Sequence, residues 1–171
     1  MNELFDIACN FSSDRFDKDL CDVIERAKNN KVTKFLVVSA TLKDTQKVYN
    51  IYKQNSDSCF FTIGVHPHHA NEFNSTSSMK MMQQINEFKP HSVGETGLDF
   101  FRNISTYKEQ LFAFEEQIKI SIETGLPLFL HQRDAHKDFI KIISKYKNDI
   151  PKAVVHCFTG TQSELDDYLE M

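Results

Sequence analysis

The 171-residue sequence has no tryptophan and only five glycines and four prolines. That scarcity excludes a collagen-like or low-complexity chain, and no Pro-rich or Gly/Ser-rich linker divides the sequence. A single domain is expected. The four cysteines (Cys9, Cys21, Cys59, Cys157) form no CxxC pair. They read as reduced thiols of a cytoplasmic protein, with the nucleus as a second location, not as a disulfide framework. No apolar run approaches the ~18–20 residues of a membrane span, so no membrane partner is expected. The opening Met1-Asn2-Glu3-Leu4-Phe5-Asp6 has neither a basic region nor a long apolar one, so no secretory signal is expected. Charge of one sign is also lacking. Twenty Lys and Arg stand against 24 Asp and Glu, a net −4. This excludes a basic protein held to nucleic acid by bulk charge. A nucleic-acid enzyme stays open, because a bound divalent metal supplies positive charge locally. Neither GxGxxG after the first apolar run nor GxxxxGK[ST] anywhere occurs, which argues against Rossmann and P-loop nucleotide sites.

What is present is a repeat of short apolar run followed by amphipathic helix. Strands are expected at Leu4–Cys9, Lys34–Ser39, Cys59–Ile63, a short Ser92–Gly94 ending at Glu95, Leu128–Leu130 and Ala153–Val155. Helices are expected over Arg15–Asn29, Leu42–Gln54, Ser78–Phe88, Tyr107–Thr124, a stretch capped by Asp134 and ending before Pro151, and from Thr161 to the end. Asn74 to Ser78 reads as a loop running into the third helix. The clearest helix carries Leu111, Phe114, Ile118 and Ile122 as its stripe, a Thr106/Glu109 capping box and Gly125 just past its end. Strands apolar on both faces, each followed by a helix, predict an α/β protein with a parallel sheet. An open doubly wound sheet and a closed barrel both remain possible on this pattern.

Chemistry-bearing residues cluster at the ends of the apolar runs. Gly64-Val65-His66-Pro67-His68 follows the third, Gly94-Glu95-Thr96-Gly97-Leu98-Asp99 the fourth, His131-Gln132-Arg133-Asp134 the fifth and His156-Cys157 the sixth. In a parallel α/β protein these tips share one rim. Glu95, His131 and His156 are therefore expected to converge as a nitrogen and oxygen ligand set for a metal. His66 and His68 are metal or phosphate contacts, or else loop structure. Arg133 is a bidentate phosphate clamp, or else a salt bridge to Asp134 or Asp99. His91 and His136 sit at no strand tip and read as packing residues. Cys157 beside His156 is not read as a Cys/His nucleophile, since adjacent strand residues face opposite ways. The Phe-rich aromatics are read mostly as core, with a base-stacking platform as the rival reading.

These four motifs, in order across the whole chain, resemble the TatD family of metal-dependent deoxyribonucleases, which belongs to the amidohydrolase-like barrels. The resemblance implies a TIM-type (β/α)8 barrel, with about six of its eight β/α units present. It implies a divalent cation at the rim, usually Mg²⁺, with Mn²⁺ or Zn²⁺ as alternatives, and hydrolysis of phosphodiester bonds by a metal-activated water. The substrate implied is DNA, with RNA as a further one, and the implied role is DNA degradation by an exonuclease. Glu95, His131 and His156 match the family's metal ligands, with Glu95 bridging. His66 matches a rim histidine that contacts substrate or metal. Arg133 would position phosphate, and Asp99 would act behind the ligands. Two departures stand out. Many members open with D-x-H-x-H, where this chain has Asp6-Ile7-Ala8-Cys9-Asn10. The T-D-x-P motif of the family's last strand does not occur. Barrels of this type need about 250 residues, so residues 1–171 read as one incomplete barrel domain. The rivals are a related hydrolase of cyclic amides or esters, and a catalytically impaired shortened form.

Overall fold

A computed structural model describes residues 3–171. Met1 and Asn2, the first residues of the stretch read as lacking a secretory signal, lie outside the described residues. The chain alternates β1 (Leu4–Cys9), α1 (Leu20–Asn29), β2 (Val32–Val37), α2 (Thr45–Gln54), β3 (Cys59–Ile63), α3 (Ser75–Phe88), β4 (Ser92–Asp99), α4 (Tyr107–Thr124), β5 (Leu128–Arg133), α5 (His136–Tyr146), β6 (Ala153–Val155) and α6 (Gln162–Leu169). A 3₁₀ turn, Pro67–Glu72, lies between β3 and α3. The six strands pair in sequence order, every pair parallel. This is the α/β architecture expected, and each strand delivers its C-terminal end to the same rim.

Period-two alternation explains how the sheet is covered. Phe35 and Val37 of β2, Cys59, Phe61 and Ile63 of β3, and Leu128 and Leu130 of β5 join the main core with α1 to α5. The intervening Leu36, Val38 and Phe129 form a separate small cluster on the other face, with Ile7, Ala8 and Phe60 against it. One face thus packs on helices and the other on the concave side of the curled sheet. Ile7 and Ala8 of β1 thus add an apolar wall to that concave side. All four cysteines are free, with Cys9 and Cys59 buried. Burial pushes the Cys59 thiol up to about 11.

Several boundaries depart from expectation, each for a local reason. The first helix starts at Leu20, not Arg15, because Asp14–Phe16 forms a separate 3₁₀ turn capped by Ser13. The second starts at Thr45, since Asp44 Oδ2 accepts from both the Thr41 amide and hydroxyl and ties off a turn first. The presumed loop at Asn74 is the start of α3: Asn74 caps the Thr76 and Ser77 amides, and Ser77 bonds back to the Asn74 amide. Asp134 does not cap α5. It sits at φ +53°, and the helix begins two residues later, with the Ala135 amide donating to Gln132 Oε1. The Thr106/Glu109 box of α4 and the left-handed Gly125 after it stand where the sequence places them.

The largest departure concerns β4. It does not stop at Glu95 but pairs on with β5 as far as Asp99 and Arg133. Gly97 makes this possible. Its φ is +144°, and a Cβ there would lie 1.9 Å from the His131 carbonyl oxygen. Gly97→Ala is therefore expected to cost about 3 kcal/mol or more, since backbone and not a flexible side chain must move. Urea unfolding measures this, and a loss below 1 kcal/mol would show that the strand relaxes freely.

Candidate metal centre

Four rim segments converge on one carboxylate oxygen. Glu95 Oε1 lies 2.7 Å from His156 Nε2, 3.1 Å from His131 Nδ1 and 3.4 Å from His66 Nε2. The backbones of the third and fourth rim segments meet closely. A Cβ on Gly64 would stand 2.4 Å from the Gly94 carbonyl carbon, so only glycine lets His66 approach Glu95 along this route. The Glu95 amide also donates to the Ser39 carbonyl at 3.2 Å, tying β4 to the segment that follows β2. The Glu95 side chain is 12% exposed. Burial alone would raise its pKa. Hydrogen bonds from His131, His156 and His66 outweigh burial and hold the carboxyl far below the usual carboxylate range.

Asp99 forms a second layer. Its Oδ2 lies 2.7 Å from His68 Nε2 and 3.3 Å from His131 Nε2, and its Oδ1 accepts from the Arg102 amide at 2.8 Å. Burial works against its charge, but the Arg102 amide and His68 lower its pKa on balance. An ionised carboxylate only accepts, so both rings must present N–H groups to it.

His131 turns Nε2 to Asp99 and Nδ1 to Glu95 Oε1, the latter at 3.1 Å. A proton or a cation shared between Nδ1 and Oε1 suits that geometry. A carboxylate behind an imidazole is the arrangement that orients histidine ligands. The donor set therefore fits a divalent metal on Glu95 and His131. His66, Glu95 and His131 each offer one ligand atom, all within 4.8 Å of one another. His156 is held by stacking on Phe129, with centroids 4.6 Å apart, and its buried Nδ1 has no hydrogen-bond partner among the described residues. In His66, Nδ1 accepts from the His68 amide at 3.1 Å. The neutral ring then carries its proton on Nε2, and burial keeps its pKa below the ordinary histidine value. Ligation by His66 competes with that amide bond, whereas donation to an anion does not.

Other sequence-predicted residues separate cleanly. Arg133 makes no ion pair with Asp99 or Asp134. Its guanidinium lies 3.9 Å from the Phe101 ring centroid. His91 packs among Tyr52, Phe60 and Phe61, and its Nδ1 accepts from the Phe61 amide. His136 bonds to Tyr168 and Asp167 and takes no part in the rim. Cys157 is exposed. Two residues escape a reading of strand tips. Gln110 and Gln117, both buried on α4, bond the backbones at Asp99 and Val65 and so position two of the four rim segments. Their signal in the sequence is an amide every seventh residue within the apolar stripe of a helix.

A parallel β/α sheet with histidines and carboxylates converging at its C-terminal rim defines a metal-hydrolase type of architecture. Comparison with known proteins narrows it. The family model for TatD related DNase matches residues 5–171, and the chain belongs to that family. It is 37% identical over 163 residues to the 3'-5' ssDNA/RNA exonuclease TatD of Erwinia billingiae, covering 95% of this chain and 62% of the relative. It is 40% identical over 166 residues to the protein of the same name from Pectobacterium atrosepticum, covering 97% and 64%. Among solved structures, the TatD homologue YJJV from Escherichia coli K12 superposes with a TM-score of 0.89 at 25% identity, covering 98% of this chain and 64% of that one. A TatD family hydrolase from Entamoeba histolytica gives 0.87 at 27% identity, covering 99% and 63%. The chain thus spans a little under two thirds of these curated relatives.

Proposed function

We propose that this chain carries the metal centre of a nuclease that hydrolyses phosphodiester bonds of DNA, and of RNA, from a strand end. Family membership and the names of the relatives support the substrate class. The observation that carries the site is the Asp99–His131–Glu95 alignment, which sets an imidazole nitrogen and a carboxylate oxygen 3.1 Å apart. Glu95 and His131, with His156 on the same Oε1, would hold the cation, and His66 and His68 flank it. A divalent ion there supplies Lewis-acid polarisation of phosphate and a nucleophilic water at neutral pH. Mg²⁺ is the ion we assign, on the family resemblance alone. Asp99 fixes the His131 ring and its tautomer. His66 offers an Nε2–H to an anionic oxygen. Arg133, in no ion pair among the described residues, brings its guanidinium to the same rim. We assign residues 1–171 to one hydrolase domain acting in the cytoplasm.

The test is degradation of end-labelled single-stranded DNA by the purified chain. Mg²⁺ or Mn²⁺ is expected to support shortening from one end. Chelation is expected to abolish it, and restored metal to return it. Turnover of a dihydropyrimidine-type cyclic amide with DNA left intact would overturn the assignment.

A further inference from the structure

Phe101 lies two residues past β4 and is 59% exposed. A single exposed aromatic is ordinary. Its surroundings are not. The Arg133 guanidinium lies 3.9 Å from its centroid, close enough for a strong cation–π contact. No carboxylate of the described residues forms an ion pair with that guanidinium, so its N–H groups stay available. The neighbouring Phe100 differs: it packs against Tyr107 at 5.2 Å and joins the core. Phe101, Arg133, His131, His156, Cys157 and Thr159 line one cleft of about 360 Å³. That size falls within the ~300–1,000 Å³ of small-molecule sites. Two of its walls are imidazoles that also reach Glu95.

The loop bearing Phe101 is held in place. The Arg102 amide donates to Asp99 Oδ1, the Ser105 carbonyl accepts from Gln110 Nε2, and the Ser105 hydroxyl donates to the His68 carbonyl. The ring is thus presented on a fixed loop, which lowers the ordering cost of a ligand that stacks there.

We propose that Phe101 and Arg133 form a nucleobase-stacking subsite beside the metal centre, taking one base of a single-stranded nucleic acid while Arg133 holds an adjacent phosphate. This rests on the nuclease reading above. Every base has a π-face, so the platform tolerates sequence while requiring that a base be present. A paired, stacked duplex end offers its face less readily, so the subsite favours single strands. Arg133 suits both parts, since a planar guanidinium stacks on an aromatic ring and binds phosphate through two parallel hydrogen bonds.

The experiment uses the whole chain with Mn²⁺ and single-stranded oligonucleotides that are intact or carry an abasic residue at one of the last three positions. The readout is the ratio of kcat/KM for intact over abasic substrate. The native protein is expected to prefer the intact strand about tenfold at one of those positions, in line with a stacked base. Phe101→Ala is expected to bring that ratio close to one, and Phe101→Trp to keep it. Exposure of the ring leaves little core to lose, so the alanine variant is expected to fold. A ratio near one in the native protein, or an unchanged ratio in Phe101→Ala, overturns the subsite. If the native protein cuts no DNA at all, the nuclease reading fails. The subsite is then judged by fluorescence anisotropy with the same oligonucleotides, where equal affinity for intact and abasic strands overturns it too.

Discussion

Glu95→Gln is expected to lower nuclease activity by more than about a hundredfold while the protein stays folded. Outer residues that merely orient metal ligands cost about 10–100-fold when removed, and Glu95 is the group on which the ring nitrogens converge. The amide keeps the shape but removes the charge that three imidazoles address. It also sets an NH₂ group or a weaker oxygen opposite His131 Nδ1, where a cation would have been drawn. The structural cost is smaller. Each charge-assisted hydrogen bond is worth about 1.5–3 kcal/mol, and the Gln oxygen still accepts from rings that donate, so the loss stays below the roughly 5–15 kcal/mol that hold a domain together. Circular dichroism is expected to be native and urea unfolding cooperative. Calorimetric titration with Mn²⁺ is expected to show at least tenfold weaker binding. Activity within threefold of the native protein would remove Glu95 from the reaction, and unchanged Mn²⁺ affinity would remove it from the metal centre.

How much of this site the sequence discloses depends on which residues build it. Glu95, His131 and His156 are legible because each ends an apolar run, and parallel order brings such ends together. The consecutive β1 to β6 order follows from the same repeat. The roles of Asp99 and His68 are less legible. They appear only once β4 is known to run on past Glu95, and the apolar run that marks a strand breaks off at Gly94. Gly97 explains the extension, but a glycine in a strand signals close backbone approach without naming the partner. Arg133 shows the other limit. Its nearest acidic neighbours in sequence suggest an ion pair, yet it stacks on Phe101, thirty-two residues away in the chain. Composition marks the phenylalanines as core, and only the fold separates Phe101 from the rest.

Gln117→Leu is expected to destabilise the chain by about 3–5 kcal/mol and to impair the site with it. The side chain of Gln117 is buried, and both of its ends are committed. Its Oε1 accepts from the Val65 amide at 2.8 Å, and its Nε2 donates to the Val65 carbonyl at 3.0 Å and the Ala113 carbonyl at 3.1 Å. Leucine suits the apolar stripe of α4, where Phe114 and Ile118 are fully buried, so pattern alone would predict a stabilising change. The hydrogen bonds predict the opposite. A leucine leaves the Val65 N–H and carbonyl buried without partners, at about 1–3 kcal/mol each. No water is expected to reach them, because Val65 is itself buried. Val65 precedes His66, so slack in that backbone moves the imidazole that faces Glu95. Gln110 does the same for β4, accepting from the Asp99 amide at 2.8 Å and donating to the Asp99 carbonyl at 3.1 Å. Two amides one heptad apart on α4 thus clamp the backbones that carry His66 and Asp99. Gln117→Glu separates the two effects. It keeps the acceptor for the Val65 N–H but loses the donor and buries a carboxylate, so it is expected to unfold earlier at neutral pH than at pH 5. Folded Gln117→Leu protein, held below its transition temperature, is expected to keep kcat within about tenfold and to bind Mn²⁺ more weakly. Native stability and native Mn²⁺ affinity in that variant would show that the packing of α4, and not its two amides, positions the rim.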